Sequence, residues 1–268
     1  MTIAEQITQL KTDFDEVKQA GYEKGKSEGG NTEEAYNNGK LEERKAFWDA
    51  YQVNGNRTDY QHAFRGVGWN DTNFYPEYDI ICQSGPVQMF CGTYITDIKG
   101  RLEELNKTID FSQAKELNGI FYGSHSERLP VIDCSSCNKF ISTFGSAYLK
   151  SIDGLLNIKE TATFNGNEFY GSSELTDIHE ISGTIGATIK LGSCQKLSVK
   201  TARRIIGVLR KYAGTENEGK CYFYLDGKVW TNLNDTTNED YTAPPVGADG
   251  TIYSTWQEYV QFSLGWGI

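Results

Sequence analysis

The sequence predicts an α+β protein built in three parts: a helical, coiled-coil-like N-terminal segment, a central solenoid of short parallel strands, and a small α/β C-terminal cap. Three observations predict it: an apolar heptad stripe at the start of the chain, a recurring phrase of aromatic, glycine and serine residues, and a change to helical spacing near position 198. The predicted boundaries are 1–52 for the helical oligomerisation or attachment segment, 53–197 for an N-terminal cap plus the solenoid, and 198–268 for the C-terminal capping unit.

The recurring phrase carries the fold prediction. Its copies begin at Phe121, Phe144, Phe169 and Leu191, which are 23, 25 and 22 residues apart. They read Phe-Tyr-Gly-Ser, Phe-Gly-Ser, Phe-Tyr-Gly-Ser and Leu-Gly-Ser, and each is followed within a few residues by a leucine. A period of about 20 to 29 residues with apolar residues at fixed offsets is typical of a solenoid. Because one such unit cannot bury its own apolar edge, the units are expected to stack on one another.

Apolar residues at the N-terminus follow a heptad pattern. The stripe comprises Ile3, Ile7, Leu10, Phe14 and Val17, spaced 4, 3, 4 and 3 residues apart. Such a stripe is typical of helices that associate with copies of themselves, so we interpret these residues as an oligomerisation surface and favour a homotrimer. The alternative is an amphipathic helix lying against its own domain. Self-association is favoured because the segment after the stripe is polar and has no core of its own.

The predicted solenoid needs a cover at each end, because its first and last units each expose an apolar face. Aromatic residues crowd positions 47–78 and are interleaved with glycine, asparagine and proline, which favours an N-terminal cap. An aromatic floor for binding sugars is the alternative. After position 198, the spacing of Ala202, Ile205 and Ile206 predicts a helix. Further downstream, the sequence predicts a strand over 221–225, a turn at Asp226–Gly227 and a short helix from Thr255.

Charge and targeting signals restrict the partners. The formal net charge is −10 at pH 7 and the pI is about 4.9, which argues against an electrostatic grip on nucleic acid or on an anionic membrane. No apolar run reaches the roughly 18 residues that a membrane span requires. The start of the chain lacks the basic and apolar regions of a signal peptide, so we expect synthesis in the cytoplasm of a host cell and release by another route, such as lysis.

The sequence offers little for catalysis or metal binding. The three histidines, His62, His125 and His179, share no spacing, so no metal site and no cofactor are expected. Cys134 and Cys137 have the spacing of a redox or metal knuckle, but they lack a second pair of ligands, and we interpret them as buried free thiols.

Two acidic pairs could suggest glycoside hydrolysis, namely Asp97 with Glu103 and Asp177 with Glu180. That reaction needs two carboxylates about 5 to 10 Å apart across a cleft, and sequence spacing alone does not place them. Tyr122 and Tyr170, within the repeated phrase, are the candidate ligand contacts. The alternative is that their rings stack along the solenoid as a structural ladder.

The phrase and its surroundings resemble a known kind of protein. Residues 169–178, with Phe-Tyr-Gly-Ser and a following Leu-x-x-Ile, resemble the leucine-rich repeats of the BspA-like class. Residues 45–60, together with the ending at 256–260 and Gly265-Trp266, resemble repeat proteins common in phages and prophages of gut Firmicutes. The resemblance covers roughly residues 43–268. It implies an irregular leucine-rich-repeat solenoid, and a virion-associated or surface protein that contacts a host cell or glycan.

We therefore expect a non-enzymatic phage virion protein of the tail, baseplate or head fibre, which would be structural or receptor-binding. Its partners would be copies of itself, other virion proteins and a glycan or protein of the host surface. The alternative is a bacterial surface adhesin or interaction module located on the cell surface. A glycan-degrading enzyme is a third hypothesis, which the resemblance does not strengthen because it brings no catalytic residues with it.

Overall fold

The computed structural model describes residues 79–82, 85–146 and 148–268. Its strands are β1 (Ile80–Ile81), β2 (Ile109–Asp110), β3 (Glu116–Asn118), β4 (Arg128–Asp133), β5 (Lys139–Ile141), β6 (Ser151–Ile158), β7 (Thr163–Phe164), β8 (Asp177–Gly183), β9 (Ile189–Leu191) and β10 (Phe223–Leu225). Its helices are α1 (Ile98–Glu104), α2 (Val199–Gly207), α3 (Gly227–Asn234) and α4 (Trp256–Glu258), and α4 continues into a π-helical turn, Tyr259–Ser263. The helical segment predicted for 1–52 lies outside the described residues.

Every strand pair in the described part of the chain is parallel. Strands β3, β5 and β7 form one sheet, and β4, β6 and β8 form another, so successive strands alternate between two sheets. In the second sheet Leu129 lies opposite Ile152, which lies opposite Ile178. Each of these residues comes from the next copy of the repeated unit. The prediction of a mixed helix and strand fold with short parallel strands is confirmed.

The core between the two sheets contains a ladder of phenylalanines. Phe90, Phe121, Phe144 and Phe169 are each at most 2% exposed. Consecutive rings stack with centroids 5.5, 6.2 and 5.1 Å apart and interplanar angles of 8, 13 and 23°. Three of them are the first residue of a copy of the phrase. The phenylalanine of the phrase therefore points inward and joins each copy to the next.

The serines of the first three copies of the phrase, Ser124, Ser146 and Ser172, form a buried polar row beside the phenylalanine ladder. Ser172 Oγ donates to the carbonyl oxygen of Phe144 at 2.7 Å and accepts from the amide of Ser146 at 3.2 Å. Ser146 Oγ donates in the same way to the carbonyl of Ser124. These hydroxyls satisfy backbone groups that the turn leaves unpaired, and a buried unpaired group would cost about 1–3 kcal/mol. The fixed serine in the phrase has a physical reason.

The C-terminal elements continue the same arrangement. Strand β10 pairs in parallel with β9, and α2 begins at the cap Ser198, whose side chain accepts from the amide of Thr201. The turn predicted at Asp226–Gly227 is wrong: Asp226 instead caps α3 by accepting from the amide of Lys228. Residues 79–268 belong to one compact unit, and the boundary predicted at 198 stays a prediction. Among the described residues no helix is both long and apolar enough to cross a membrane.

Candidate functional site

An open groove runs across successive copies of the phrase, with a volume of about 350 Å³. The groove is lined by Gln88, Asn118, Gly119, Tyr122, Ser142, Asn167 and Tyr170. We call it the tyrosine groove. Its lining follows a rule in the sequence: Gln88, Gly119, Ser142 and Asn167 each stand two positions before a phenylalanine of the ladder, and the two tyrosines stand one position after one. The buried ladder thus sets the positions of six of the seven residues that line the groove.

Both tyrosines nominated from the sequence line this groove, although they come from copies of the phrase that are not adjacent. Tyr122 is 43% exposed and Tyr170 is 65% exposed. Within the described residues neither ring contacts another aromatic ring, and the stacked ladder consists of phenylalanines instead. Both side chains are therefore partly accessible to solvent and to a ligand. That they bind one remains a prediction.

The copy of the phrase between the two tyrosines has no tyrosine of its own. There, glycine follows the phenylalanine directly, and Gly145 is buried. A Cβ atom built on Gly145 would lie 2.9 Å from Cδ2 of Tyr122 and 2.9 Å from the carbonyl oxygen of Tyr170. The Tyr122 ring thus occupies the space above this glycine. The Tyr122 ring, from the first copy of the phrase, and the Tyr170 carbonyl oxygen, from the third, thus both lie close to Gly145 in the second.

Two lining residues hold an unusual backbone conformation. The φ angles of Gln88 and Ser142 are 50° and 48°, in the left-handed region that side chains other than glycine rarely adopt. Each such residue costs about 1–3 kcal/mol unless its surroundings enforce it. For Ser142 the enforcement is visible, since its amide donates to Oδ1 of Asn165 at 3.2 Å and its Oγ accepts from Nδ2 of the same residue at 3.4 Å. The groove is consequently a fixed shape.

The chemistry of the groove is polar and uncharged. Its seven lining residues include three amide side chains and carry no charge. Within the described residues, the side-chain amides of Gln88, Asn118 and Asn167 make no hydrogen bond to the protein. Each amide offers both donors and an acceptor. These groups can therefore serve a ligand without first breaking an internal contact.

The amide positions were missed from the sequence, where only the tyrosines were singled out. The available signal was the polar residue two positions before the phenylalanine in three of the four ladder positions, namely Gln88, Ser142 and Asn167. A polar residue in a turn or loop is ordinary, so the pattern gains meaning only once the copies are known to lie side by side. The predicted oligomerisation residues Ile3, Ile7, Leu10, Phe14 and Val17 lie outside the described residues.

The carboxylates considered for hydrolysis make structural contacts. Asp97 caps α1 by accepting from the amide of Gly100 at 2.8 Å, and it also forms an ion pair with Arg128. The Oδ1 atom of Asp177 accepts from Oγ of Ser198 at 3.0 Å and from Oγ1 of Thr201 at 2.8 Å. These contacts attach α1 and α2 to the β4–β6–β8 sheet.

The same sheet carries a further charged cluster on its outer face. Asp153 lies 2.8 Å from Nζ of Lys99 and 3.4 Å from Nδ1 of His179. The hydrogen bond to Asp153 raises the pKa of Lys99. His125 has a different environment, since its ring stacks on that of Tyr148 with centroids 4.1 Å apart and is tilted by 49° against that of Tyr94 at 4.4 Å. The two described histidines thus differ in their surroundings, and His62 lies outside the described residues.

The cysteines are free thiols in the described part of the chain. Cys134 and Cys137 are both buried, and their thiols donate to the carbonyl oxygens of Ile132 and Lys139. Burial raises the pKa of Cys137 to about 11 and raises that of Cys134 further. Both therefore stay protonated near neutral pH, where a metal ligand or nucleophile would need the thiolate. No group of three potential metal ligands occurs among the described residues.

Comparisons with protein-family models, curated proteins and solved structures found no match to this chain. The geometry of the described residues is therefore what a functional proposal has to rest on.

Proposed function

We propose that this chain is a non-enzymatic, virion-associated phage protein of the tail, baseplate or head fibre, and that it presents a leucine-rich-repeat surface to a host cell. The parallel ladders, the phenylalanine stack and the serine row support a solenoid, because each copy of the phrase hydrogen-bonds to the next. The helical segment at the N-terminus would join copies of the chain to one another and to other virion proteins.

The tyrosine groove is the observation that carries the proposal. A receptor-binding surface needs exposed groups held in a fixed arrangement, since ordering them on binding would cost affinity. Here exposed tyrosine rings and unpaired amides stand on a buried ladder. Aromatic residues of this kind often contribute most of the affinity of an interface. The groove therefore suits contact with a host surface better than the charged cluster on the β4–β6–β8 sheet, whose groups pair with one another.

Retention on host cell walls tests the proposal directly. The full-length chain, labelled with a fluorophore, would be incubated with purified walls from a panel of gut Firmicutes, and the bound fraction measured after washing. We expect retention on the walls of at least one species and its loss in the double variant Tyr122→Ala/Tyr170→Ala. The matched control is Tyr148→Ala, because Tyr148 is 49% exposed and lies outside the groove. Absence of retention on every wall would contradict the proposal.

The proposed self-association gives a second test, on the intact chain. Light scattering should report three times the 30.1 kDa of one chain. Replacing Ile7 and Phe14 with glutamate places charged groups in the predicted oligomerisation surface. These carboxylates would lose their hydration without gaining partners on association, so the double variant should be monomeric. The control Thr12→Glu alters a position on the opposite side of the predicted helix and should leave the mass unchanged. A monomeric wild-type chain would mean that the stripe belongs to an intramolecular core.

A further inference from the structure

We propose that the tyrosine groove binds an uncharged oligosaccharide, with Tyr122 and Tyr170 as stacking platforms and the amides of Gln88, Asn118 and Asn167 as hydrogen-bonding partners. This inference rests on the proposed host contact and names the chemical class of the ligand. It also assigns a role to the three amides, which the sequence did not single out.

The two kinds of lining residue match the two kinds of surface on a sugar. A sugar ring presents apolar C–H faces and a rim of hydroxyl groups, each of which donates and accepts hydrogen bonds. Tyr122 and Tyr170 offer solvent-accessible aromatic surface, each with a polar hydroxyl at its end. The amides offer donors and acceptors that are unpaired in the described structure. An aliphatic ligand would leave these amides without partners, which would cost affinity.

The absence of positive charge in the groove lining disfavours acidic ligands. None of the seven lining residues is charged, and the chain as a whole carries −10. A phosphate, carboxylate or nucleic acid backbone would meet no compensating cation among these lining residues. Lys190 lies beside Gly166 at the edge of this region, with its Nζ 5.7 Å from the centre of the Tyr224 ring. It is not one of the residues that line the groove.

The size and rigidity of the groove favour a short segment of a glycan. Its volume of about 350 Å³ is at the lower end of the range of about 300–1,000 Å³ for small-molecule sites. The Tyr122 ring is held over Gly145, and Ser142 is fixed by Asn165. A preformed site loses less conformational freedom on binding. The groove can therefore recognise a few sugar residues exposed on a larger polymer.

The test uses the full-length chain on an array of immobilised oligosaccharides. The neutral members would contain glucose, galactose, mannose and N-acetylglucosamine, and the acidic members would carry sialic acid, uronic acid or phosphate. We expect binding to neutral members and not to acidic ones. Titration calorimetry with the best-bound neutral oligosaccharide would then give the Kd of each variant.

The variants separate the groove from the rest of the surface. Tyr122→Ala and Tyr170→Ala should each weaken binding by about tenfold or more, as expected when an aromatic anchor is removed. Tyr148→Ala should change the Kd by less than about twofold. Asn118→Asp preserves the shape of the side chain while replacing its donor with a negative charge, so it should weaken binding without affecting folding. Unfolding midpoints in urea would show that each variant is folded.

The outcomes distinguish this inference from the proposed function. Binding to acidic oligosaccharides that requires Tyr122 and Tyr170 would overturn the uncharged class and leave host contact standing. Retention on cell walls that protease treatment of the walls abolishes, with no glycan bound on the array, would identify a protein receptor and overturn the inference alone. Absence of both wall retention and glycan binding would overturn both proposals.

Discussion

Replacing Phe144 with alanine should lower the free energy of unfolding by about 3–5 kcal/mol, the range for large-to-small changes at buried aromatic positions. Phe144 is 1% exposed and stacks on Phe121 on one side and on Phe169 on the other. Truncation would remove two ring contacts and leave a cavity in the middle of the ladder. Phe144→Leu, which retains most of the volume, should cost less, at about 1.5 kcal/mol or below.

Urea denaturation followed by circular dichroism would measure the effect. The matched control is Phe262→Ala, because Phe262 is 60% exposed and such a surface change should stay within about 0.5 kcal/mol. A loss for Phe144→Ala no larger than the loss for Phe262→Ala would mean that the ladder does not hold the copies of the phrase together.

The ladder illustrates what the sequence was able to predict. Recurrence of Phe121, Phe144 and Phe169 at nearly constant spacing indicated equivalent positions in stacked units, and the parallel strands and the stacked rings follow from that equivalence. The helix at 199–207 was predicted for a similar reason, since its apolar residues recur at helical spacing and its cap is a serine. Periodic features are readable because each repetition adds an independent observation of the same environment.

The groove could be predicted only in part. The sequence places a phenylalanine and a tyrosine side by side at positions 121 and 122, and the hydroxyl explains why the tyrosine is the one left in solvent. What the sequence does not convey is the consequence of the missing tyrosine after Phe144, which is that the Tyr122 ring lies against Gly145. That consequence depends on three copies lying side by side. A binding surface that forms where the copies of the phrase differ is therefore harder to predict than a core built from the residues that the copies share.

The sequence pattern also does not predict which residues adopt a left-handed backbone conformation. The φ angles of Gln88, Ser142 and Asn157 are positive, although side chains usually disfavour that region. Asparagine tolerates a positive φ angle better than most residues, whereas a glutamine or a serine in the sequence does not indicate one. At Ser142 the conformation is held by hydrogen bonds to Asn165 in a neighbouring copy. Contacts of this kind link residues far apart in the sequence, so no local sequence motif predicts them.

Replacing Gly183 with alanine should have an effect comparable to loss of the ladder ring, at about 2–5 kcal/mol, because two separate costs add there. Gly183 ends β8 opposite Ile158, just beyond a shift in register between β6 and β8. Its φ angle is +99°, and a Cβ atom there would overlap the backbone oxygen and nitrogen of Ile158. The conformation alone costs a side chain about 1–2 kcal/mol. Overlap with backbone atoms, which cannot rotate away, adds about 1–3 kcal/mol.

Two other glycines separate these contributions. Gly171 has a φ of +76°, but no atom lies within 4 Å of the position that a Cβ atom would take, so Gly171→Ala should cost only the conformational share of about 1–2 kcal/mol. Gly192 has neither a left-handed φ nor a close neighbour, so Gly192→Ala should be neutral or stabilising by up to about 1 kcal/mol. Urea unfolding of the three variants should therefore give a graded series. Equal losses of unfolding free energy at Gly171 and Gly183 would show that the left-handed backbone conformation alone makes glycine necessary at position 183. The close approach of β6 to β8 would then not contribute.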